Sequence, residues 1–104
     1  MKLMTKEIES NLARYPIGSQ EKLGKSAKVI VKYFNPCGAG TWLITEGEKV
    51  ASGDWRLWGY GHIFEWEWGT VWLSELQSVK VPPFGLGIER DMFCDPNATV
   101  NDLI

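Results

Sequence analysis

Cysteine, histidine and proline are scarce in this chain of 104 residues, at two, one and five. Two cysteines, Cys37 and Cys94, are too few for a disulfide scaffold. With His62 they make three scattered candidate ligands, whereas a zinc site takes four and usually opens on a close pair such as C-x-x-C. A fourth ligand would have to be a carboxylate such as Asp95, so the sequence predicts no metal and no cofactor. A Cys–His nucleophile pair has no better support, because no neighbouring residue marks either group as activated. Long apolar runs are also missing, which excludes a membrane-spanning helix. The opening "MKLMTKEIES" carries Lys2, Lys6, Glu7 and Glu9 with no apolar h-region, so no secretory leader is expected. The expected compartment is the cytoplasm, with both cysteines as thiols.

Positive charge is thin where it would matter for nucleic acid. The net charge is −2, but residues 1–32 hold seven Lys/Arg against three Glu, and residues 33–104 hold four against ten Asp/Glu. The long acidic part repels phosphates and suits a basic protein partner. Tryptophan, by contrast, is abundant, with six in a chain sized for one domain and one modest core. Each indole can bury about 150–250 Å².

Apolar periodicity predicts an α+β fold: an N-terminal helix packed on a small antiparallel meander of four to five strands. Met4, Ile8, Leu12 and Tyr15 share one face of a helix over 5–15, with Thr5 as N-cap and Pro16 and Gly18 ending it. After the polar connector 16–26, strands are expected at 27–34, 41–46, 55–64 and 69–73, separated by the turn-rich "NPCGAG" and "GEKVASGD". Ser74 to Gln77 fits a capping box opening one helical turn. "KVPPFGLG" is irregular, "IERDMFC" is a short last element in the 27–94 sheet core, and the tail 95–104 is expected to fray.

The densest chemistry is "FEWEWG" (64–69). On a strand Glu65 and Glu67 would share one face, about 7 Å apart, with Trp66 and Trp68 on the other. That separation is close to the one inverting glycosidases use, yet half-buried strands show the same alternation. Trp55, Trp58, Tyr60, Trp66, Trp68 and Trp72 also suggest a stacking platform for single strands. Between residues 50 and 79, however, the one permanent cation is Arg56, against Asp54, Glu65, Glu67 and Glu75. Most of these aromatics are therefore read as core. "GSQEKLGKS" (18–26) misses the phosphate-loop spacing by one residue and lies between a helix and a strand, the reverse of the required order. Glu89, Arg90 and Asp91 read as a structural polar cluster, with Arg90 tethered by carboxylates.

Taken together, "VKYFNP" (31–36), "TWLITEGE" (41–48), "LWGYGHIFEWEWG" (57–69), "LSELQSV" (73–79) and "PFGLGIERDMF" (83–93) resemble a bacterial family catalogued as domain of unknown function 2958. The resemblance implies a compact cytoplasmic protein carried by plasmids and phages, with no catalytic residues to transfer. Its pattern includes Trp42, Thr45, Glu46, Gly59, Gly69, Leu73, Ser74, Glu75, Leu76 and Ile88 through Asp91, but not Cys37, His62 or Cys94. Family members with Pro at the position of Trp66 imply a strand-connecting loop at "FEWEW". The combined expectation is a non-enzymatic interaction protein with an acidic–aromatic surface at Glu65, Trp66, Glu67 and Trp68, together with Glu46 and Trp58. Its partner is a host or element-encoded protein with a basic surface, and its sharpest form inhibits a nucleic-acid-directed defence system. The alternatives are a small hydrolase using Glu65/Glu67 or Glu89/Asp91, and a single-strand binder using the tryptophans.

Overall fold

The computed structural model describes residues 1–104. Helix α1 (Lys6–Ala13) begins where Thr5 Oγ1 accepts the Ile8 amide at 3.2 Å, and its buried residues are Ile8 and Leu12. Strands β1 (Val31–Phe34), β2 (Thr41–Lys49), β3 (Trp55–His62), β4 (Trp66–Trp72) and β5 (Glu89–Arg90) form one antiparallel sheet in the order β4-β3-β2-β1-β5. β1 through β4 are the expected meander. The chain then crosses through helix α2 (Leu73–Ser78) to place β5 on the far edge.

The pleat sorts the side chains into two faces. Leu3, Ile8, Leu12, Tyr33, Ile44, Trp55, Leu57, Leu73 and Leu76 form the larger core, under α1 and α2. Val29, Leu43, Tyr60 and Val100 form a smaller one on the opposite face. Tyr33 anchors the first through its hydroxyl, which donates to Leu3 O at 2.6 Å. Burial raises its pKa well above the ordinary tyrosine value, against a small opposing pull from Arg90.

Several expectations need correction. The tail does not fray: Thr99 N and Oγ1 donate to Asp102 Oδ2 at 2.8 and 3.1 Å, opening helix α3 (Val100–Leu103). Val29 N donates to Ala98 O and Val100 N to Ala27 O, and Val100 is fully buried. Residues 27–29 are thereby engaged with the tail, while Ile30 N donates to Ile44 O at 2.8 Å just ahead of β1, which starts four residues later than its apolar pattern. Ser74 does not cap α2. The N-cap is Trp72, two residues earlier, with Glu75 Oε1 accepting the Trp72 amide at 2.9 Å, while Asp54 accepts both Ser74 N (3.1 Å) and Ser74 Oγ (2.5 Å). Trp72 is half-buried, as are Trp42, Trp58, Trp66 and Trp68; of the six tryptophans Trp55 alone is buried, at 7% exposure.

Candidate functional site

The segment "FEWEWG" straddles a turn and an edge strand. Residues 63–65 make the β3–β4 turn and β4 begins at Trp66, so "FEWEW" is neither wholly strand nor wholly loop. Glu65 lies off the strand, so the shared-face strand pair it was expected to make with Glu67 does not form. β4 pairs with β3 alone and is the sheet's edge. Its seven residues contain no Lys and no Pro, and the β3–β4 register has no bulge, so the charge of Glu67 is the one usual edge-blunting device the strand itself carries.

On one face of this hairpin the rings zip together. His62 pairs with Trp66 and Tyr60 with Trp68 directly across the strands, with ring centroids 5.1 and 4.9 Å apart. The diagonal neighbours Tyr60–Trp66 and Trp58–Trp68 lie nearly parallel, at 5.2 and 6.3 Å. Cross-strand aromatic pairs of this kind each contribute about 0.2–1 kcal/mol. Trp58, Trp66 and Trp68 therefore hold β4 to β3 while remaining half-exposed. Lysines from the connector approach aromatic rings. Lys25 Nζ stands 5.4 Å above Tyr60, and Lys28 Nζ stands 5.9 Å from Tyr15. A count of charge along residues 50–79 misses the first of these, because the cation arrives from a different part of the chain.

The tip and the other face are acidic and apolar. Phe64 is 95% exposed and Ile63 50% exposed, beside the exposed Glu65 and Glu67, neither of which forms an ion pair. Phe64 and Ile63 were not singled out from the sequence, where they read as the end of a strand. The turn after His62 is what lifts them into solvent.

Glu46 does not belong to this surface. It is 2% exposed, and its carboxylate accepts the amides of Gly18 and Gln20, both at 2.7 Å. A register shift between Ile44 and Glu46 marks a bulge at Thr45, whose carbonyl accepts Gln20 Nε2 at 2.8 Å. Gln20 also donates to Lys28 O (2.9 Å) and accepts Lys28 N (2.8 Å), which satisfies its whole amide. Gly18, at φ +94°, lets the connector turn its amide toward Glu46. Glu46 is thus a clip that fastens the connector to the sheet.

The remaining candidates are dispersed. Arg90 makes no ion pair and its Nε is buried without a partner, so carboxylates do not tether it. β5 is held instead by its ladder to β1, by Asp91 N donating to Lys32 O at 2.9 Å, and by a 3.7 Å Lys32–Asp91 ion pair. Glu89 lies on β5, half-buried. Cys37 is exposed in the β1–β2 turn, His62 closes β3, and Cys94 follows β5 with its thiol pKa raised by burial and by Asp91. No three His, Cys, Asp or Glu side chains gather as metal ligands. No helix is long and apolar enough to cross a membrane.

Comparison with curated proteins and with solved structures finds no match. A family profile described as "Protein of unknown function (DUF2958)" matches residues 3–104, nearly the whole chain, and the protein belongs to that family.

Proposed function

We propose that the protein is a small non-enzymatic interaction module that docks a basic partner protein through the tip and edge of the β3–β4 hairpin. Phe64 carries the reading: a phenylalanine 95% exposed, next to the exposed Glu65, which has no ion-pair partner, has no role in the core of this fold. Exposed apolar side chains that cluster mark interaction sites, and aromatic anchors contribute disproportionately to binding. The acidic side chains around Phe64 supply steering toward a basic surface. The same proposal includes a plasmid- or phage-borne protein acting in the cytoplasm. Its sharpest form is an inhibitor of a nucleic-acid-directed defence system, whose nucleic-acid-binding surface supplies the basic target.

Capture from a host lysate with the wild-type chain and with Phe64→Ala and Glu65→Lys/Glu67→Lys variants tests this. The expected result is a wild-type partner lost in both variants, with melting temperatures unchanged. Equal capture by all three proteins would remove the hairpin from the interaction.

One observation favours a second reading. Lys25 above Tyr60 adds a cation to the half-exposed ring ladder, and single-strand binders combine cations with stacking faces. Tight binding of a single-stranded DNA, with affinity falling steeply as salt rises, would favour that reading over protein docking.

A further inference from the structure

The sheet face opposite the ring ladder holds an uncovered groove of about 350 Å³ between α2 and the β3–β4 end. Its floor is backbone: Gly59 and Gly69 face each other across the two strands, and Gly61 lies two residues along. Trp42 and Ile44 line it from β2, and Leu76 and Val79 from α2 and its end. These apolar side chains belong to or pack on the larger core, so the groove is a rigid continuation of that core. The two floor glycines differ. A Cβ on Gly59 would lie 2.0 Å from Leu43 O, so close strand approach requires glycine there. A Cβ on Gly69 would meet nothing within 4 Å. Packing within the chain does not need Gly69 to be bare, and its bareness keeps the groove open.

Charge decides what the groove can take. Glu67 and Glu75 are exposed members of its lining, neither is in an ion pair, and the lining contains no Lys, Arg or His. A phosphate-bearing ligand is repelled. A second copy joined through the same patch would set these carboxylates against their equivalents, since a two-fold interface is self-complementary. We propose that the groove receives a large apolar side chain flanked by Lys or Arg from a segment of a partner protein. The volume is at the lower end of the roughly 300–1,000 Å³ of ligand sites, which suits one aromatic side chain rather than a helix. This inference rests on the protein-docking reading above and names what the partner inserts: the groove lines up with Ile63, which also lines it, and so continues the exposed tip.

The test is NMR on the full-length ¹⁵N-labelled chain, titrated with three capped pentapeptides. Lys-Lys-Trp-Lys-Lys should shift the Gly59, Gly61 and Gly69 amides saturably. Lys-Lys-Gly-Lys-Lys and Glu-Glu-Trp-Glu-Glu should each bind weaker by about tenfold or more, for lack of the anchor and of the charge respectively. Gly69→Val, which fills the floor, should lose binding of the first peptide with its melting temperature retained. Gly69→Ala should show an intermediate loss and guards against a misfolded valine variant. Failure of Lys-Lys-Trp-Lys-Lys to shift the glycines, equal binding of all three peptides, or undiminished binding by a folded Gly69→Val protein would overturn the proposal. So would a wild-type dimer in sedimentation that Gly69→Val dissolves, since the groove would then hold a second copy. The peptides read the groove alone. Loss of partner capture on charge reversal at Glu65 and Glu67, with the peptide result negative, keeps the hairpin-tip reading and removes the groove.

Discussion

Glu46 and Glu67 are both strand glutamates of one five-stranded sheet, and they have opposite environments. Glu46 sits at the bulge of central β2, 2% exposed, with two backbone amides on its carboxylate. Glu67 sits on the bare edge strand, exposed and without an ion-pair partner. The difference comes from what lies over each strand. The connector folds back over β2 and must satisfy its own amides, so a buried carboxylate becomes a structural acceptor. Nothing folds back over the outer edge of β4. The middle of the sheet is closed over by the connector's hydrogen bonds, and the β4 edge is left open.

The sharpest way to break this contrast is at the clip. Glu46→Ala leaves the Gly18 and Gln20 amides without their acceptor, and two hydrogen bonds to a charged group should cost about 3–5 kcal/mol. Chemical denaturation should register that loss; a change under 1 kcal/mol, on the order of an ordinary hydrogen bond, would mean the connector is fastened some other way.

The facing glycines give the next largest contrast. Gly59→Ala must push Leu43 O away and should destabilise by more than about 2 kcal/mol. Gly69→Ala should be neutral or stabilising by about 0.4–1 kcal/mol, through the unfolded chain. Equal effects at the two positions in thermal melts would contradict the description of an open β4 beside a tightly paired β3.

Much of the fold was legible because it is written in local signals. Thr5 before an i, i+3, i+4 apolar series gives α1, and the glycine- and proline-rich turns delimit the strands. What was not legible depended on distant partners. The Thr99–Asp102 cap signal is present in the tail, but only docking of Ala98 and Val100 on residues 27–29 makes it stable. Glu46 looks like any acidic strand residue until a connector some 26 residues earlier presents its amides. At the site, the alternation at 66–68 correctly separates Glu67 from the tryptophans, whereas the exposure of Phe64 depends on β3 ending at His62, two residues before the expected strand end. Trp72 illustrates the limit: the strand pattern buries it, yet on an edge strand it keeps one side in solvent.

Trp72→Ala accordingly sharpens the edge description with a smaller effect. A fully buried tryptophan typically costs about 3–5 kcal/mol on truncation, and half of that, about 1.5–2.5 kcal/mol, is expected here. A full-sized loss would show that the edge is covered in solution.

The smallest effect concerns acid. Hydrogen bonding to the Ser74 hydroxyl holds the Asp54 carboxyl below the ordinary range, opposed by desolvation and aided by the Trp55 and Ser74 amides. A depressed folded-state pKa gives stability that is present above the unfolded-state value and lost as pH falls through the folded one. Ser74→Ala should therefore lower the melting temperature at neutral pH, and the gap from wild type should narrow as pH drops below the ordinary carboxylate range. A gap that widens in acid would assign the opposite sign to this contact.

The central claim, that the open edge meets a basic partner, is tested most directly by association kinetics across a salt series. The captured partner should bind wild-type protein with a rate that falls as salt rises, and bind Glu65→Lys/Glu67→Lys at least about tenfold more slowly at low salt. The variant should melt within about 0.5 kcal/mol of wild type. Rates that are equal in both proteins and indifferent to salt would contradict the account.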